Sequence, residues 1–249
     1  MLRYVYTIIV NLIRLLESVK TMGDMAKNAD EKPEEYVEEY NYGYVKYVIE
    51  VMKKTGKIET EAFGTENLPK EGGYMMYPNH EGKWDAYGLI SVHKYPCSFV
   101  MDIKKSNRIF IKQLVDTLKG KRLSKTDNRQ AMTIINEITK EVEAGRKYIL
   151  FPEGDFDKNK KNTLWEFKAG CFKISLKSKT PIVPVVLYDS YIPYNTFKMG
   201  KVKTQVHFLK PICYDEYKEM NTRQIADMVK NAIEEKIKEL DAKQCENKK

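Results

Sequence analysis

The fold of this chain is indicated most directly by the segment GYMMYPNHEGKWD, residues 73–85. A short apolar run comes first, ends at Pro78, and has the length and composition of a buried strand. His80 and Asp85 follow within a few residues. On one continuous helix their side chains would point about 140° apart, since each residue turns the helix by about 100°. The segment therefore predicts a strand, a turn that carries His80, and a helix that begins near Asp85.

His80 and Asp85 have the chemistry of a general base and of the group that orients it. An imidazole accepts a proton near neutral pH, and a carboxylate can hold one tautomer and stabilise the imidazolium. The macrodipole favours a carboxylate in the first turn of a helix. The chain has three histidines, and neither His93 nor His207 has an acidic residue five positions further on. His80 is thus the candidate base, although a spacing of this kind also arises by chance.

From residue 57 onward the pattern alternates strand and helix, which is typical of an α/β sheet covered by helices. We expect a mixed, mostly parallel sheet flanked by helices, with functional loops at the carboxyl ends of the strands. Apolar residues recur on one helical face between residues 131 and 142, and Asn221 is the predicted N-cap of a last helix. The predicted strands lie at residues 57–63, 73–77, 98–101, 148–151, 182–187 and 202–208.

Two parts of unequal size are predicted from the length and the pattern. A chain of 249 residues can bury one full core. We expect a catalytic domain at residues 57–249. Residues 1–56 are expected to form two helices that face a membrane as a hairpin, the second of them near residues 34–54.

Residues 1–20 predict a helix with a narrow polar stripe and a wide apolar face. Asn11 and Arg14 interrupt the apolar run before it reaches the about 20 residues that a membrane span needs. We expect this helix to lie in the bilayer interface, with Arg3 and Arg14 near the lipid headgroups. A signal peptide and a helix packed on the domain core are the alternatives. The polar stripe consists of Arg3, Thr7, Asn11, Arg14 and Ser18.

The net charge of +8 is unevenly distributed. Residues 101–130 contain nine Lys or Arg residues against three acidic residues. Such a segment suits phosphate groups, whether of nucleic acid, membrane lipid, nucleotide carrier or substrate, and it is equally typical of a solvated helix face. No recognised nucleic-acid-binding motif accompanies it. We therefore expect a membrane surface and a phosphate-bearing substrate as partners, and no nucleic acid.

The cysteines bear on the cellular compartment. Cys97, Cys171, Cys213 and Cys245 lie far apart and show neither CxxC nor Cys/His ligand spacing. We interpret them as reduced thiols of a cytoplasmic protein, with a catalytic cysteine as the alternative. No metal-ligand constellation is evident in the sequence, and we expect no bound cofactor.

A second candidate loop has the sequence Pro152-Glu153-Gly154-Asp155 and follows a predicted strand. Gly154 permits a tight turn, and Glu153 is able to accept hydrogen bonds from substrate hydroxyls or to fix a neighbouring base. Downstream, Lys168 precedes a predicted helix whose free N–H groups suit an anion.

In their order along the chain these motifs resemble those of the glycerolipid acyltransferases, the family of 1-acylglycerol-3-phosphate O-acyltransferases. That family shows N-H-x4-D, a basic segment, F-P-E-G and a proline-containing V-P-V strand. The corresponding residues here are Asn79 to Asp85, 104–129, Phe151 to Gly154 and Ile182 to Val185, within a resemblance that covers residues 57–210. It implies transfer of a fatty acyl group from acyl-CoA or acyl carrier protein to the hydroxyl of a lysophospholipid. The default acceptor is 1-acylglycerol-3-phosphate, which gives phosphatidic acid.

The resemblance also implies roles for single residues. His80 would take the proton of the acceptor hydroxyl while Asp85 holds the other ring nitrogen, and Glu153 and Gly154 would shape the acceptor site. The protein would act at the cytoplasmic face of the cell membrane as a peripheral or monotopic protein. Acylation of a different lyso-lipid, and a non-catalytic basic membrane-binding protein, are the alternatives.

The sequence departs from the family pattern at the expected phosphate ligands. Asp155 and Phe156 follow F-P-E-G where many members have Thr-Arg, and Ser124-Lys125 stands where an arginine is usual. Lysine binds phosphate as a point charge and not bidentately. The basic candidates for binding the phosphate are Arg122, Lys125, Arg129, Lys158 and Lys168, and we expect Lys125 and Lys168 to be among the substrate-binding residues.

Overall fold

A computed structural model describes residues 2–157, 159, 161–197 and 199–246. Within these residues, seven strands form one sheet. They are β1 (Ile58–Phe63), β2 (Tyr74–Pro78), β3 (Ser98–Asp102), β4 (Lys121–Leu123), β5 (Lys147–Ile149), β6 (Ile182–Tyr188) and β7 (Val202–Phe208). The order across the sheet is β1-β7-β6-β2-β5-β3-β4. The strands from β6 to β4 run parallel, β7 is antiparallel to β6, and β1 is parallel to β7, which confirms the predicted mixed, mostly parallel sheet.

Helices cover both faces of this sheet. The helices in the described part of the chain are α1 (Leu2–Val10), α2 (Leu12–Glu31), α3 (Glu38–Gly56), α4 (Asp85–Val92), α5 (Ile103–Ser106), α6 (Ile111–Thr117), α7 (Asn128–Glu143), α8 (Lys173–Ser178), α9 (Ile192–Asn195), α10 (Tyr214–Tyr217) and α11 (Thr222–Glu246). Short 3-10 turns occur at Pro33–Glu35, Thr65–Asn67 and Ala169–Phe172.

The central strand β2 shows how the two faces are divided. All five of its residues are buried, and the first four alternate between two hydrophobic clusters. Met76 packs in the cluster that includes side chains of α2, α3, α4 and α6, whereas Met75 and Tyr77 pack in the cluster of α7, α8, α10 and α11. A strand buried on both faces and paired on both edges is a rigid support for the turn that follows it.

Most of the elements predicted from sequence are present, and one strand was missed. The side chain of Asn221 caps α11 by accepting hydrogen bonds from the amides of Arg223 and Gln224, both at 3.0 Å. The missed strand is β4, whose residues Lys121 and Arg122 are charged and show no apolar alternation. It pairs with β3 at the edge of the sheet, where charged side chains remain solvated.

The N-terminal helical region differs from the prediction in length and orientation. It continues to Glu31 and is interrupted at Asn11, instead of ending near residue 20. Four of the five residues of its polar stripe face the protein, whereas Arg14 is exposed. Arg3 is 1% exposed, and its Nη2 donates a hydrogen bond to the carbonyl of Gly200 at 2.5 Å. The prediction that Arg3 lies near lipid headgroups is therefore wrong. Sequence periodicity shows which side chains share one face of a helix. It does not show whether that face packs against the protein or against a membrane.

The helices α2 and α3 pack on the same core as the sheet. Met22 of α2 and Val45 of α3 belong to the cluster that contains Trp84 and Leu89. Among the helices of the described residues, none combines the length and apolarity needed to cross a bilayer. Residues 2–56 form antiparallel helical segments joined by a short turn, with Thr55 of α3 bonded to Asn11 at the break between α1 and α2, and their membrane contact stays a prediction.

We expect Gly73→Ala to destabilise the fold strongly, because β2 begins directly after a close contact of backbones. A Cβ at residue 73 would lie 2.0 Å from the carbonyl oxygen of Val142 and 2.6 Å from that of Arg146. Neither backbone oxygen can move without displacing α7 or β5, so the loss in unfolding free energy should be about 3 kcal/mol. Gly170→Ala is the matched control, since nothing lies within 4 Å of its added Cβ. Urea denaturation that gave equal stabilities for the two variants would contradict this account.

Candidate active site

The candidate site lies at the edge where the parallel strands end. Strands that run parallel in one sheet bring the segments after them to the same edge. His80 follows β2, residues 153–156 follow β5, Lys105 follows β3, Lys125 follows β4, and Ser190 follows β6. Residues from five separate parts of the sequence are therefore brought to one edge.

The predicted pair of His80 and Asp85 is formed. His80 Nδ1 lies 2.6 Å from Asp85 Oδ2, and Asp85 is the first residue of α4. The same oxygen accepts hydrogen bonds from the amides of Glu81 at 2.6 Å and Gly82 at 2.9 Å, and Oδ1 accepts one from the hydroxyl of Ser190 at 2.6 Å. Asp85 is fully buried, so these donors replace the water that the carboxylate loses. The turn between residues 80 and 85 is folded around this carboxylate.

Asn79 attaches this turn to the neighbouring strand β6. Its side-chain Nδ2 donates to the carbonyl of Leu187 at 2.9 Å, and its Oδ1 accepts from the amide of Leu187 at 2.7 Å. The side chain thus takes the place of a backbone peptide in the hydrogen-bond ladder. Glu81 is also fully buried, and its Oε2 accepts a hydrogen bond from the amide of Ser190 at 3.1 Å. Ser190 therefore contacts both buried carboxylates, through its amide and through its hydroxyl.

Glu153 holds the other side of the turn. Its Oε1 accepts a hydrogen bond from the amide of His80 at 2.8 Å, and its Oε2 accepts one from the amide of Trp165 at 2.9 Å. Of the two functions that the sequence allowed, these contacts correspond to fixing the neighbouring base. Gly154 has a φ of 77°, a left-handed conformation that favours glycine, and a Cβ there would lie 2.6 Å from Lys168 Nζ. Lys168 consequently extends over Gly154.

Two aromatic rings flank the imidazole. The ring centroid of His80 lies 4.3 Å from that of Phe151 and 4.6 Å from that of Phe156. The side chain of His80 is 19% exposed, so the ring is accessible while much of its surface is covered by apolar groups. Such a setting allows proton transfer at the ring and limits the water around it.

A cluster of four charged residues lies next to Phe156. Lys105 Nζ is 2.6 Å from Asp155 Oδ1, and Lys125 Nζ is 3.2 Å from Asp155 Oδ2 and 3.4 Å from Asp102 Oδ2. Partial burial alone would raise the pKa of Asp155, but the hydrogen bonds from Lys105, from the amide of Phe156 and from Lys125 hold that pKa well below its ordinary value. Asp155 is therefore a carboxylate, and in this structure its negative charge is placed against the lysine predicted to bind phosphate.

The other basic residues that were candidates for binding phosphate are Arg122, Arg129 and Lys158. Arg122 pairs with Asp116 at 2.5 Å, and Arg129 lies in the first turn of α7 with its amide bonded to Asp127. Lys158 lies outside the described residues.

The other histidines and the buried cysteines have the properties of structural groups. Burial lowers the pKa of His93 and of His207 to about 4, so both are neutral at physiological pH. Burial raises the pKa of Cys97 and of Cys171 to about 12, which disfavours the thiolate that a catalytic cysteine requires. Within the described ranges, no group of three or more His, Cys, Asp or Glu residues is arranged to hold a metal ion.

Sequence reasoning missed Ser190 and Lys105. A serine after a strand carries no signal of its own, and its role depends on contact with Asp85, which is 105 positions away. Lys105 was one of nine basic residues in its segment. The available signal was its position directly after the predicted strand at residues 98–101, at the same sheet edge as His80.

Comparison with known proteins defines the class. The acyltransferase family model matches residues 59–188, more than half of the chain and the part that holds the His80 turn and β6. The chain belongs to the acyltransferase family. Its fold is also that of a solved 1-acyl-sn-glycerophosphate acyltransferase from Thermotoga maritima, with a TM-score of 0.67 and 18% identity over 92% of this chain and 97% of the other.

Within that family, the chain is similar to several curated proteins named 1-acyl-sn-glycerol-3-phosphate acyltransferase. The protein of this name from Borreliella burgdorferi is 31% identical, over 69% of this chain and 70% of its own length. The one from Saccharomyces cerevisiae is 25% identical, over 76% of this chain. The chain spans 63% of the length of the yeast protein.

We expect Ser190→Ala to lower the unfolding free energy by about 2–3 kcal/mol, because the charged Asp85 Oδ1 would remain buried without its hydroxyl donor. Ser91→Ala is a matched control, since that buried hydroxyl donates at 2.8 Å to the neutral carbonyl of Gly88 in its own helix. Its removal should cost less, about 1 kcal/mol. Chemical denaturation measures the unfolding free energy of both variants. An equal loss in the two would show that the hydroxyl of Ser190 does not stabilise the buried carboxylate of Asp85.

Proposed function

We propose that this protein is a 1-acylglycerol-3-phosphate O-acyltransferase, which moves a fatty acyl group from a thioester donor to the free hydroxyl of 1-acyl-sn-glycerol 3-phosphate. The observation that carries the proposal is the hydrogen-bonded pair of His80 and Asp85 at an accessible sheet edge, beside two lysines. The names of the similar proteins support it. The donor is acyl-CoA or acyl carrier protein, and the product is phosphatidic acid.

His80 acts as the general base. With Nδ1 bonded to Asp85, Nε2 is the nitrogen that takes the proton of the acceptor hydroxyl. The hydroxyl oxygen attacks the carbonyl carbon of the thioester and gives a tetrahedral oxyanion. When this intermediate collapses, the carbon–sulfur bond breaks, and the leaving thiolate takes the proton back from His80. The products are the ester and a free thiol, and the base is regenerated.

Asp85 supports this cycle in two ways. Its hydrogen bond fixes the tautomer and the orientation of the imidazole, and its negative charge stabilises the imidazolium that forms in the transition state. The thioester is already activated, so the reaction requires neither a covalent enzyme nucleophile nor a bound cofactor. General-base assistance of this kind contributes about 10²- to 10⁴-fold to the rate, and positioning of the two substrates contributes further.

We predict that His80→Ala lowers kcat by about 10²-fold or more, since the base is lost. The measurement is transfer of a radiolabelled acyl group from acyl-CoA, and in parallel from acyl carrier protein, to 1-acyl-sn-glycerol 3-phosphate in mixed micelles. Circular dichroism and thermal unfolding establish that the variant remains folded. Activity equal to that of the wild type would refute the mechanism.

His207→Gln is the matched control for this substitution. His207 lies in β7, two strands across the sheet from β2, and its ring stacks on that of Phe63 in β1 at a centroid distance of 4.6 Å. Its ring is neutral at the pH of the assay because burial lowers its pKa to about 4. The variant should retain nearly full activity.

The protein acts at a membrane surface, at the cytoplasmic face of the cell membrane, and the first two helices provide the contact. Arg3, Thr7, Asn11 and Ser18 are turned inward. The apolar side chains of the same helices point to solvent, and Ile9 and Ile13 are 66% and 74% exposed. A contiguous apolar surface of this kind favours burial in a bilayer interface. The exposed apolar residues of α1 and α2 are Leu2, Val5, Tyr6, Ile9, Val10, Leu12, Ile13 and Leu16.

Replacing Ile9 and Ile13 together by Glu should weaken binding to phospholipid vesicles by about tenfold or more, because each isoleucine contributes about 1.5–3 kcal/mol when it is buried. Ala242→Glu is the control, as it adds a charge at an exposed position of α11 on the opposite face of the sheet. Vesicle sedimentation measures the effect, with unfolding temperatures recorded in parallel. If the double variant sediments as the wild type does, the membrane contact lies elsewhere.

A further inference from the structure

Asp155 occupies a position between two lysines that is suited to an external anion. Its Oδ1 pairs with Lys105 at 2.6 Å and its Oδ2 with Lys125 at 3.2 Å. The three side chains are 44%, 41% and 31% exposed, respectively. An ion pair that is open to solvent to this degree gains little net stability, and a competing anion can replace one of its partners.

Of the two carboxylates in this cluster, that of Asp155 is the one that is able to move away from the lysines. The other one, Asp102, is 14% exposed and caps α5, because its Oδ1 accepts hydrogen bonds from the amides of Lys104 and Lys105. Moving Asp102 would uncap that helix and displace the backbone of Lys105. Asp155 lies in the loop after β5, where a change of rotamer removes its carboxylate and leaves both lysines in place.

The cluster is next to the base. Phe156, adjacent in sequence to Asp155, places its ring 4.6 Å from that of His80, and Lys105 Nζ lies 5.8 Å from the centroid of the same Phe156 ring. An anion held by Lys105 and Lys125 would therefore lie one aromatic ring away from the imidazole. In the glycerol phosphate part of the acceptor, the phosphate and the free hydroxyl are also close together. A phosphate bound by the two lysines would therefore leave the hydroxyl near His80.

We propose that Asp155 acts as an internal counter-ion, which occupies the acceptor's phosphate position in the unliganded protein and is displaced when the acceptor binds. The inference rests on the proposed function. It makes Asp155 a determinant of specificity. A phosphomonoester carries a charge of about −1.5 to −2 at neutral pH and competes well with a carboxylate of charge −1. A phosphodiester carries a single negative charge and has no such advantage, so Asp155 selects lysolipids with a terminal phosphate.

The test compares two acceptors that have the same acyl chain. One is 1-acyl-sn-glycerol 3-phosphate, and the other is the corresponding lysophosphatidylglycerol, a phosphodiester. The ratio of the two kcat/KM values, measured in mixed micelles at one pH, removes any effect common to both acceptors. We expect the wild type to prefer the phosphomonoester. Asp155→Asn should lower the KM of both acceptors and reduce that preference by about tenfold, because the phosphodiester no longer competes with a charge equal to its own.

Asp157→Asn is the matched control. It removes the same charge two residues further on, where the carboxylate accepts a hydrogen bond from the amide of Asn159. This variant should keep the wild-type preference. An unchanged ratio in Asp155→Asn, a KM that rises for the phosphomonoester, or a wild type that prefers the phosphodiester would overturn the inference and leave acyl transfer itself intact.

A binding measurement separates the inference from the proposed function. In calorimetric titration with sn-glycerol 3-phosphate, Asp155→Asn should bind about tenfold more tightly than the wild type, and Lys105→Met about tenfold more weakly. Equal or weaker binding by Asp155→Asn would overturn the inference. A wild type that acylates neither lysolipid would refute the proposed function, and the titration would still decide the role of Asp155.

Discussion

The carboxylate of Asp85 has no contact with solvent and must obtain all its hydrogen bonds from the protein. A buried charge that lacked them would cost several kcal/mol. Its donors come from His80, from two amides of the same turn, and from the hydroxyl of Ser190 after β6. Satisfying this one group therefore fixes the turn, the start of α4 and the approach of a neighbouring strand. The orientation of the imidazole follows from these constraints.

The ionic groups at the sheet edge fall into two kinds. Asp85, Glu81 and Glu153 are buried and bonded to backbone amides, so they maintain the geometry of the turn. Lys105, Lys125 and Asp155 are partly exposed and bond to one another through side chains. Burial makes the first set permanent, because each member would lose its donors by moving. Solvent access makes the second set exchangeable, because water or another ion can replace either partner of a solvent-exposed ion pair.

The N-terminal helices α1 and α2 also have a buried polar face and an exposed apolar face. Arg3, Thr7, Asn11 and Ser18 are buried against the rest of the protein, while the isoleucines and leucines of the same helices are exposed. In water alone this arrangement is unfavourable, since it leaves a large apolar surface hydrated. In a bilayer interface the apolar face is buried as well. The orientation of these helices is thus physically consistent with the proposed contact with a membrane surface.

The sequence by itself determined the local structure. The strand, turn and helix at residues 73–85, most of the strands and the cap at Asn221 follow from apolar spacing and from hydrogen bonds between near neighbours, which are properties of short segments. The hydrogen-bonded pair of His80 and Asp85 could be predicted for the same reason. The missed strand β4 is short, charged and held by its neighbour β3, so its own residues did not identify it.

Only the tertiary structure decided which face of the first helices is buried, which hydroxyl supports Asp85, and which carboxylate neutralises the lysines. Ser190 is 105 residues from Asp85, and Asp155 is 50 residues from Lys105. Contacts over such distances depend on how the strands are ordered in the sheet. A charged or polar side chain can be hydrated by solvent, or it can form a hydrogen bond or ion pair with another residue. Its position in the sequence does not show which of these two occurs.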